Sequence, residues 1–179
     1  STHGVVTSLA WKIGGHVNYV LEGNLNYTGA VITWLKDDLE LISSAAETEA
    51  LANKAVKEDG LYLVPAFSGL GAPYWDSDAR AAIVGMSRTT RKAELVRAAL
   101  ECIAYQITDV VKAMSEDSKI CIGQLCVDGG PTRNAYLMQF QSDLLTADVM
   151  VPNAEELSAI GPAYAAGLRL GLWDETCLL

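Results

Sequence analysis

The stretch LCVDGGPTRNAY, residues 125–136, places two glycines between an apolar run and a helix-like run. Proteins of the α/β class bind nucleotides at such junctions, where the carboxyl end of a strand meets a helix N-terminus. Because glycine has no Cβ, a ring or a phosphate can approach the main chain at Gly129 and Gly130. The alternative is a plain turn in which Thr132 or Asn134 caps the following helix.

Gly29, in NYTGAVITWL, presents the same choice at the start of another helix. Glycine within a helix costs about 1 kcal/mol relative to alanine, so its presence needs an explanation. A ligand or a second backbone that lies against Gly29 is one explanation. The other is a first helical turn that is capped by Asn26 or Thr28.

The long loop PAFSGLGAPYWDSDAR, residues 65–80, combines glycines, two large aromatic side chains and charged residues. Loops with this mixture often bind ligands. The structural interpretation is that Tyr74 and Trp75 anchor the loop on the core, and that Asp76 or a neighbouring aspartate pairs with Arg80. The residues alone leave both interpretations open.

No set of residues in the sequence predicts a complete catalytic centre or a metal site. The G-x-G-x-x-G, G-K-[ST] and G-x-S-x-G motifs are absent. The two histidines, His3 and His16, both lie near the N-terminus, and the four cysteines show no C-x-x-C spacing. We therefore expect no catalytic and no metal-binding residues, and we expect reduced thiols.

The acidic composition limits the partners. A net charge of −9 and an isoelectric point near 4.6 disfavour nucleic acid and anionic membrane surfaces, since both need clustered lysine and arginine. Nucleotides are not disfavoured, because backbone N–H groups and a divalent cation can hold phosphates. The chain has no leader-like start and no bilayer-spanning apolar run, which predicts a cytoplasmic protein. It starts at Ser1 without a methionine, so we expect a piece of a longer protein.

Hydrophobic patterning predicts the elements that hold these residues. Two short strands, from Val5 to Ile13 and from Val17 to Leu21, join at Gly14-Gly15 as a tight hairpin. A helix follows, because apolar residues recur at spacings of three and four at Ile32, Leu35, Leu39 and Ile42. Residues 47–58 predict a second, more polar helix on the surface.

The rest of the chain alternates strands with helices. The predicted strands are residues 61–67, 81–87, 124–128 and 148–152, and the predicted helices run from Lys92 to about Met114, from about Arg133 to Leu145, and over residues 157–171. The first of these helices is apolar over so wide a face that we expect other elements to cover it on more than one side. The order of elements predicts one α/β layered domain.

Four stretches, taken in order, resemble the carboxyl-terminal half of the FGGY carbohydrate kinases: NYVLEGNLNYTGAVITWL, VPAFSGLGAPYWDSDARAAIVGMSR, ALECIAYQITDVVKAM and VDGGPTRNAYLMQFQSDLL. The second signature of that family is matched by Ala81, Ile83, Gly85, Met86, Glu94, Leu95, Ala98, Ala99, Leu100 and Glu101. The segment AFSGLGAPYWD is typical of the members that phosphorylate glycerol. The resemblance covers nearly the whole chain.

The resemblance implies an actin-like, ribonuclease H-like ATPase domain, with a mixed sheet flanked by helices and without its first strand. It implies that residues 1–179 are the C-terminal ATP-binding domain of a kinase. The N-terminal substrate domain, with the phosphate-binding motif and the catalytic aspartate, would lie upstream. On this interpretation the chain cannot catalyse alone, and an exposed sheet edge would allow a homo-oligomer.

The resemblance also implies the ligands. ATP with Mg²⁺ would lie in the cleft, and glycerol or a related polyol would lie deeper. Gly129, Gly130 and Asn134 match the family's DGG…N segment beside the adenine and ribose, and Gly29 matches a glycine near the nucleotide. Thr33 stands where the members that use glycerol usually carry glutamine. The alternatives are the same domain of a kinase for another polyol or sugar, such as xylulose or erythritol, and a non-catalytic actin-like module.

Overall fold

The computed structural model of the chain describes residues 1–13, 15–56, 60–153 and 157–174. Its first two strands, β1 (Val6–Ile13) and β2 (His16–Glu22), pair in antiparallel fashion. Gly15 in the turn has a φ of +87°, the left-handed conformation for which glycine is suited. The predicted hairpin is therefore confirmed, and Gly14 lies outside the described residues.

The helices have the following bounds: α1 (Gly29–Thr33), α2 (Glu47–Lys54), α3 (Lys92–Ser118), α4 (Ala135–Leu145) and α5 (Leu157–Leu170). A π-helical turn, Trp34–Asp38, continues α1, and a 3₁₀ turn, Gly130–Arg133, precedes α4. The predicted continuation of the first helix through Leu39 and Ile42 is wrong. Glu40 has a φ of +50°, which ends the helix before Ile42, and Leu39 is 42% exposed.

The remaining strands form two further pairs. Strands β3 (Tyr62–Val64) and β4 (Ala82–Val84) are antiparallel, whereas β5 (Gln124–Cys126) and β6 (Asp148–Met150) are parallel. Helix α4 connects the parallel pair, as a βαβ unit requires. The α/β class is confirmed. In the described part of the chain the strands form three two-stranded sheets, with both parallel and antiparallel pairing.

The core lies around α3, on which α1, α2 and α4 pack. Val96, Leu100 and Ile103 of α3 are at most 2% exposed. The buried apolar residues packed with them come from several elements and include Val31, Leu35, Ile42, Ala52, Leu61, Leu63 and Leu137. The prediction that α3 is covered on more than one side is therefore confirmed.

Helix α2 lies on the surface as the sequence predicted, with one side buried. Thr48 and Ala52, on the buried side, are 1% and 2% exposed, because α2 packs on α3 and α4. The predicted continuation of this helix over residues 55–56 is wrong, since Ala55 is extended, with a ψ of 148°. Residues 57–58 of the prediction lie outside the described residues.

The glycine-rich loop 65–80 is anchored on the rest of the domain. Tyr74 donates its hydroxyl proton to Asp109 at 2.8 Å, and this hydrogen bond raises the pKa of Tyr74. The indole N–H of Trp75 donates to the Gly4 carbonyl at 2.6 Å. Arg80 donates to the backbone carbonyls of Ser77, Asp78 and Ala79 and not to an aspartate carboxylate, so the predicted ion pair is wrong. The contacts of Tyr74 and Trp75 support the interpretation that these two residues anchor the loop.

Candidate functional site

A cavity of about 760 Å³ opens between α1, the start of α2 and the turn that precedes α4. Ligand pockets typically measure about 300–1,000 Å³, so this volume suits a nucleotide-sized ligand. The floor is apolar, because it is formed by the side chains of Leu100, Ile103 and Leu137. Each of these residues is about 2% exposed. The other lining residues are Gly29, Ile32, Thr33, Lys36, Asp37, Ala45, Ala46, Thr48, Glu49, Ala50, Gly130, Pro131, Arg133 and Asn134.

Four of the five residues that the sequence suggested for the nucleotide line this cavity. Gly29 and Thr33 belong to α1, while Gly130 and Asn134 lie in and just after the turn before α4. The two pairs are at least 97 residues apart in the sequence, the distance from position 33 to position 130. The fifth, Gly129, precedes Gly130 and is not part of the lining. The two segments that the resemblance placed near one nucleotide therefore line one cavity.

The two lining glycines have no structural reason to be glycine. Gly29 and Gly130 both lie outside the left-handed φ region. An added Cβ at either position would meet no heavy atom of the described residues within 4 Å, apart from chain neighbours and the local helix backbone. Gly129 differs, because its φ of +95° favours glycine whatever the space. At Gly29 and Gly130 the missing side chain keeps the cavity wall open.

Asn134 joins two walls of the cavity. Its Oδ1 accepts a hydrogen bond from the N–H of Leu137 at 2.9 Å, which caps α4. Its Nδ2 donates to Oγ1 of Thr48 at 2.9 Å, and that hydroxyl donates to the carbonyl of Ala45 at 2.6 Å. Helix capping, the simpler interpretation of the sequence, is confirmed for Asn134, and it is compatible with a place on the cavity wall.

Sequence reasoning missed the start of α2. Besides Thr48, Glu49 lines the cavity, and its Oε2 accepts a hydrogen bond from the N–H of Ala135 at 2.9 Å. A threonine and an acidic residue in a first helical turn suit a helix N-terminus, and they were the signal available. That signal did not reveal a partner 86 residues away.

Four charged residues line the cavity. Lys36 Nζ is 2.9 Å from Asp37 Oδ1, and both side chains are about half exposed. Glu49 lies at the start of α2, and Arg133 ends the 3₁₀ turn. The lining thus combines an apolar floor with two cationic and two carboxylate side chains. No cluster of three or more histidine, cysteine, aspartate or glutamate side chains able to hold a metal occurs among the described residues.

The sequence also predicted reduced cysteines and no bilayer-spanning apolar run. Cys102, Cys121 and Cys126 are unpaired, while Cys177 lies outside the described residues. Within the ranges that the structure covers, no helix is both long and apolar enough to cross a membrane.

Comparisons with known proteins point to one family. The model of the C-terminal domain of the FGGY family of carbohydrate kinases matches residues 1–170. The chain is 52% identical over 174 residues to a glycerol kinase of Petrotoga mobilis, and 53% identical over 173 residues to one of Burkholderia multivorans. Each match covers 97% of this chain and 35% of the relative.

Solved structures agree. A Plasmodium falciparum glycerol kinase with ADP superimposes with a TM-score of 0.89 at 37% identity, over 98% of this chain and 35% of that one. A ligand-bound xylulose kinase of Lactobacillus acidophilus gives a TM-score of 0.78 at 20% identity, over 96% of this chain and 34% of that one, which shows the shared fold. The chain thus spans about a third of the length of the proteins that it matches.

Proposed function

The chain belongs to the FGGY family of carbohydrate kinases, and we propose that it is the ATP-binding C-terminal domain of a longer kinase. The N-terminal part of that kinase would carry the substrate site and the catalytic base. A match that covers 97% of this chain but 35% of the relatives supports this division.

The observation that carries the proposal is the pair of open glycines, Gly29 and Gly130, in the lining of one cavity. Neither backbone conformation nor packing requires glycine there. A purine ring that lies against the main chain does, because a Cβ would occupy its space. The apolar floor suits the ring, and the hydroxyl of Thr33 and the amide of Asn134 are polar groups on its rim. Gly129 shapes the turn that presents Gly130.

For the acceptor we propose glycerol, whose terminal hydroxyl would receive the γ-phosphate of ATP to give glycerol 3-phosphate and ADP. Relatives at 52% and 53% identity are glycerol kinases, and a neighbour at 37% identity is a glycerol kinase with ADP. The xylulose kinase neighbour shares the fold at 20% identity, so it does not support xylulose as the acceptor.

In this proposal the chain contributes binding and orientation rather than chemistry. Phosphoryl transfer depends on holding the donor and the acceptor in line and on stabilising charge from both walls of a cleft. This chain supplies the wall for the nucleotide base. Mg²⁺ would neutralise phosphate charge, and it usually binds through the phosphates with one or two carboxylates. The described residues hold no dedicated ligand cluster, so we assign the metal to the phosphates and to the rest of the kinase.

The cytoplasm is the compartment that we propose for this kinase. It supplies ATP, and its reducing conditions suit the unpaired Cys102, Cys121 and Cys126.

The proposal is tested by assaying the full-length protein that carries this chain. Purified protein is incubated with ATP and glycerol, xylulose or erythritol in parallel, and ADP and the phosphorylated product are measured. We expect ATP-dependent phosphorylation of glycerol, with much weaker activity on the two other acceptors. Phosphorylation of xylulose or erythritol alone would overturn the acceptor assignment. ATP binding without transfer to any acceptor would favour a non-catalytic module.

A further inference from the structure

Three charged side chains of α3 are buried away from the cavity floor. Glu94 and Arg97 are each 5% exposed, and the side chain of Glu101 is 12% exposed. Burial of charge is unfavourable unless the groups are paired and hydrogen-bonded. Glu94 and Glu101 are also the acidic positions of the family signature in the sequence. Since none of the three lines the cavity, their role has to follow from what they contact.

Two of them hold the end of α2. Glu94 Oε1 accepts a hydrogen bond from the N–H of Val56 at 3.1 Å, and its Oε2 accepts from the N–H of Arg91 at 2.9 Å. The guanidinium of Arg97 donates to the carbonyl of the same Val56. Both backbone groups of the residue that follows α2 by two positions are therefore bound to α3.

The third connects α3 to α4. Glu101 Oε1 lies 3.4 Å from Arg97 Nε and accepts a hydrogen bond from the hydroxyl of Tyr136 at 2.6 Å. Burial and this hydrogen bond raise the pKa of Tyr136, so the phenol stays protonated and remains a donor. Tyr136 is the second residue of α4 and follows Asn134 by two positions.

The contacts close into a ring. From Tyr136 the chain leads back to Asn134 and Ala135, which are bound to Thr48 and Glu49 at the start of α2. Helix α2 is therefore held at its end by α3 and at its start by α4, and α4 is itself held by α3. The cavity lies between the start of α2 and the turn before α4.

The geometry points to Glu101 and Tyr136 as positioning residues for the nucleotide, which fix the spacing of the two cavity walls without touching the ligand. This inference rests on the proposed ATP site. Loss of the Tyr136 hydroxyl frees the first turn of α4 on the side away from the cavity, while the ring still packs against Phe140, 6.2 Å away between centroids. The two acidic residues of the family signature then have a structural role. Glu94 bonds α3 to the residue after α2, and Glu101 bonds α3 to α4.

The test compares Tyr136→Phe with wild type in the full-length protein. We expect KM for ATP to rise severalfold, up to about fivefold, the limit reached when the whole free energy of this hydrogen bond holds the cavity walls in the ATP-binding spacing. We expect KM for glycerol and kcat to stay within about twofold, because the acceptor site lies elsewhere. Tyr105→Phe is the matched control, since Tyr105 also contacts Phe140, with ring centroids 5.6 Å apart, and its hydroxyl is outside the ring of hydrogen bonds.

Glu101→Gln separates positioning from stability. The amide oxygen still accepts from Tyr136, while the negative charge 3.4 Å from Arg97 Nε is removed. We therefore expect a clearly lower melting temperature, with a smaller rise in KM for ATP than in Tyr136→Phe. A KM for ATP that follows the melting temperature across the variants, or that is unchanged in Tyr136→Phe, would overturn the positioning role. If wild type neither binds nor uses ATP, the proposed function fails first, and the inference fails with it.

Discussion

At the scale of single residues, the structure distinguishes a glycine that its backbone conformation favours from two glycines whose conformation and neighbours do not require one. Gly129 has a positive φ, so its identity follows from the turn. Gly29 and Gly130 have ordinary backbone conformations and open space where a Cβ would stand. Sequence alone could place all three near a helix start, but it could not separate these causes. That separation required the local conformation and the neighbouring atoms.

A branched side chain at Gly130 should therefore act on the ligand rather than on the fold. We expect Gly130→Val in the full-length protein to raise the Kd for ATP by at least about tenfold, equivalent to ~1.4 kcal/mol. The Kd is measured by calorimetric titration, with the melting temperature recorded for each variant.

Gly123→Val is the control for that experiment. Gly123 also has open space at its Cβ position and a φ outside the left-handed region, but it does not line the cavity. Its Kd for ATP should match that of wild type. Equal losses of affinity in both variants, or no loss in Gly130→Val, would show that Gly130 does not border the nucleotide.

At the scale of elements, α3 organises the domain. At its N-terminus the carboxylate of Glu94 accepts a hydrogen bond from the N–H of Arg91 at 2.9 Å, and the Arg91 carbonyl accepts from the N–H of Leu95 at 3.2 Å. Gly85, just upstream, has a φ of +86°, and an added Cβ would strike the carbonyl of Gly60. Glu94 and Gly85 both belong to the family signature. These two signature positions therefore have a local structural explanation near the start of α3.

Glu94 gives a pH-dependent prediction for this element. The hydrogen bond from the N–H of Val56 is the main cause that lowers the pKa of Glu94 below its ordinary 4.5. A carboxyl whose pKa is lower in the folded state stabilises the fold above the unfolded pKa. That contribution is lost as the pH falls through the folded value.

We therefore expect Glu94→Gln to lower the free energy of unfolding at pH 7 by about 1–3 kcal/mol, because one backbone N–H loses its acceptor. The difference from wild type should shrink as the pH falls below about 4.5. Urea unfolding from pH 7 to pH 3 measures it, with Glu22→Gln, exposed at the end of β2, as the control. A difference that is constant over this range would contradict the assigned hydrogen bonds.

At the scale of the whole molecule, the described residues leave much apolar surface uncovered. Leu9, Trp11 and Tyr19 of the hairpin are 59%, 46% and 73% exposed. Patches of this kind mark interaction surfaces. They fit the proposal that this domain is one part of a larger kinase. The homo-oligomer that an exposed sheet edge would allow stays a prediction.

Much of this molecule could be predicted from local sequence, and the rest could not for an identifiable reason. The hairpin, α3 and the cap at Asn134 follow from turn chemistry and periodicity within short windows. The buried face of α2 could not be predicted, because it depends on contacts with distant residues. Asn134, for example, donates a hydrogen bond to Thr48, which lies 86 positions earlier. No local pattern encodes such a contact. The π-helical turn at Trp34–Asp38, with Glu40 beyond it, likewise interrupted a helical spacing that the sequence continues through Ile42.

We propose that one cavity, formed by α1, the start of α2 and the turn before α4, holds the base of ATP. This is tested by photolabelling the full-length protein with an ATP analogue that carries an azide on the adenine ring. The labelled peptides are then identified by mass spectrometry. We predict labels within residues 29–37, 45–50 or 130–137, and their loss when unmodified ATP is added in excess. Competed labelling confined to other parts of the protein would contradict the account.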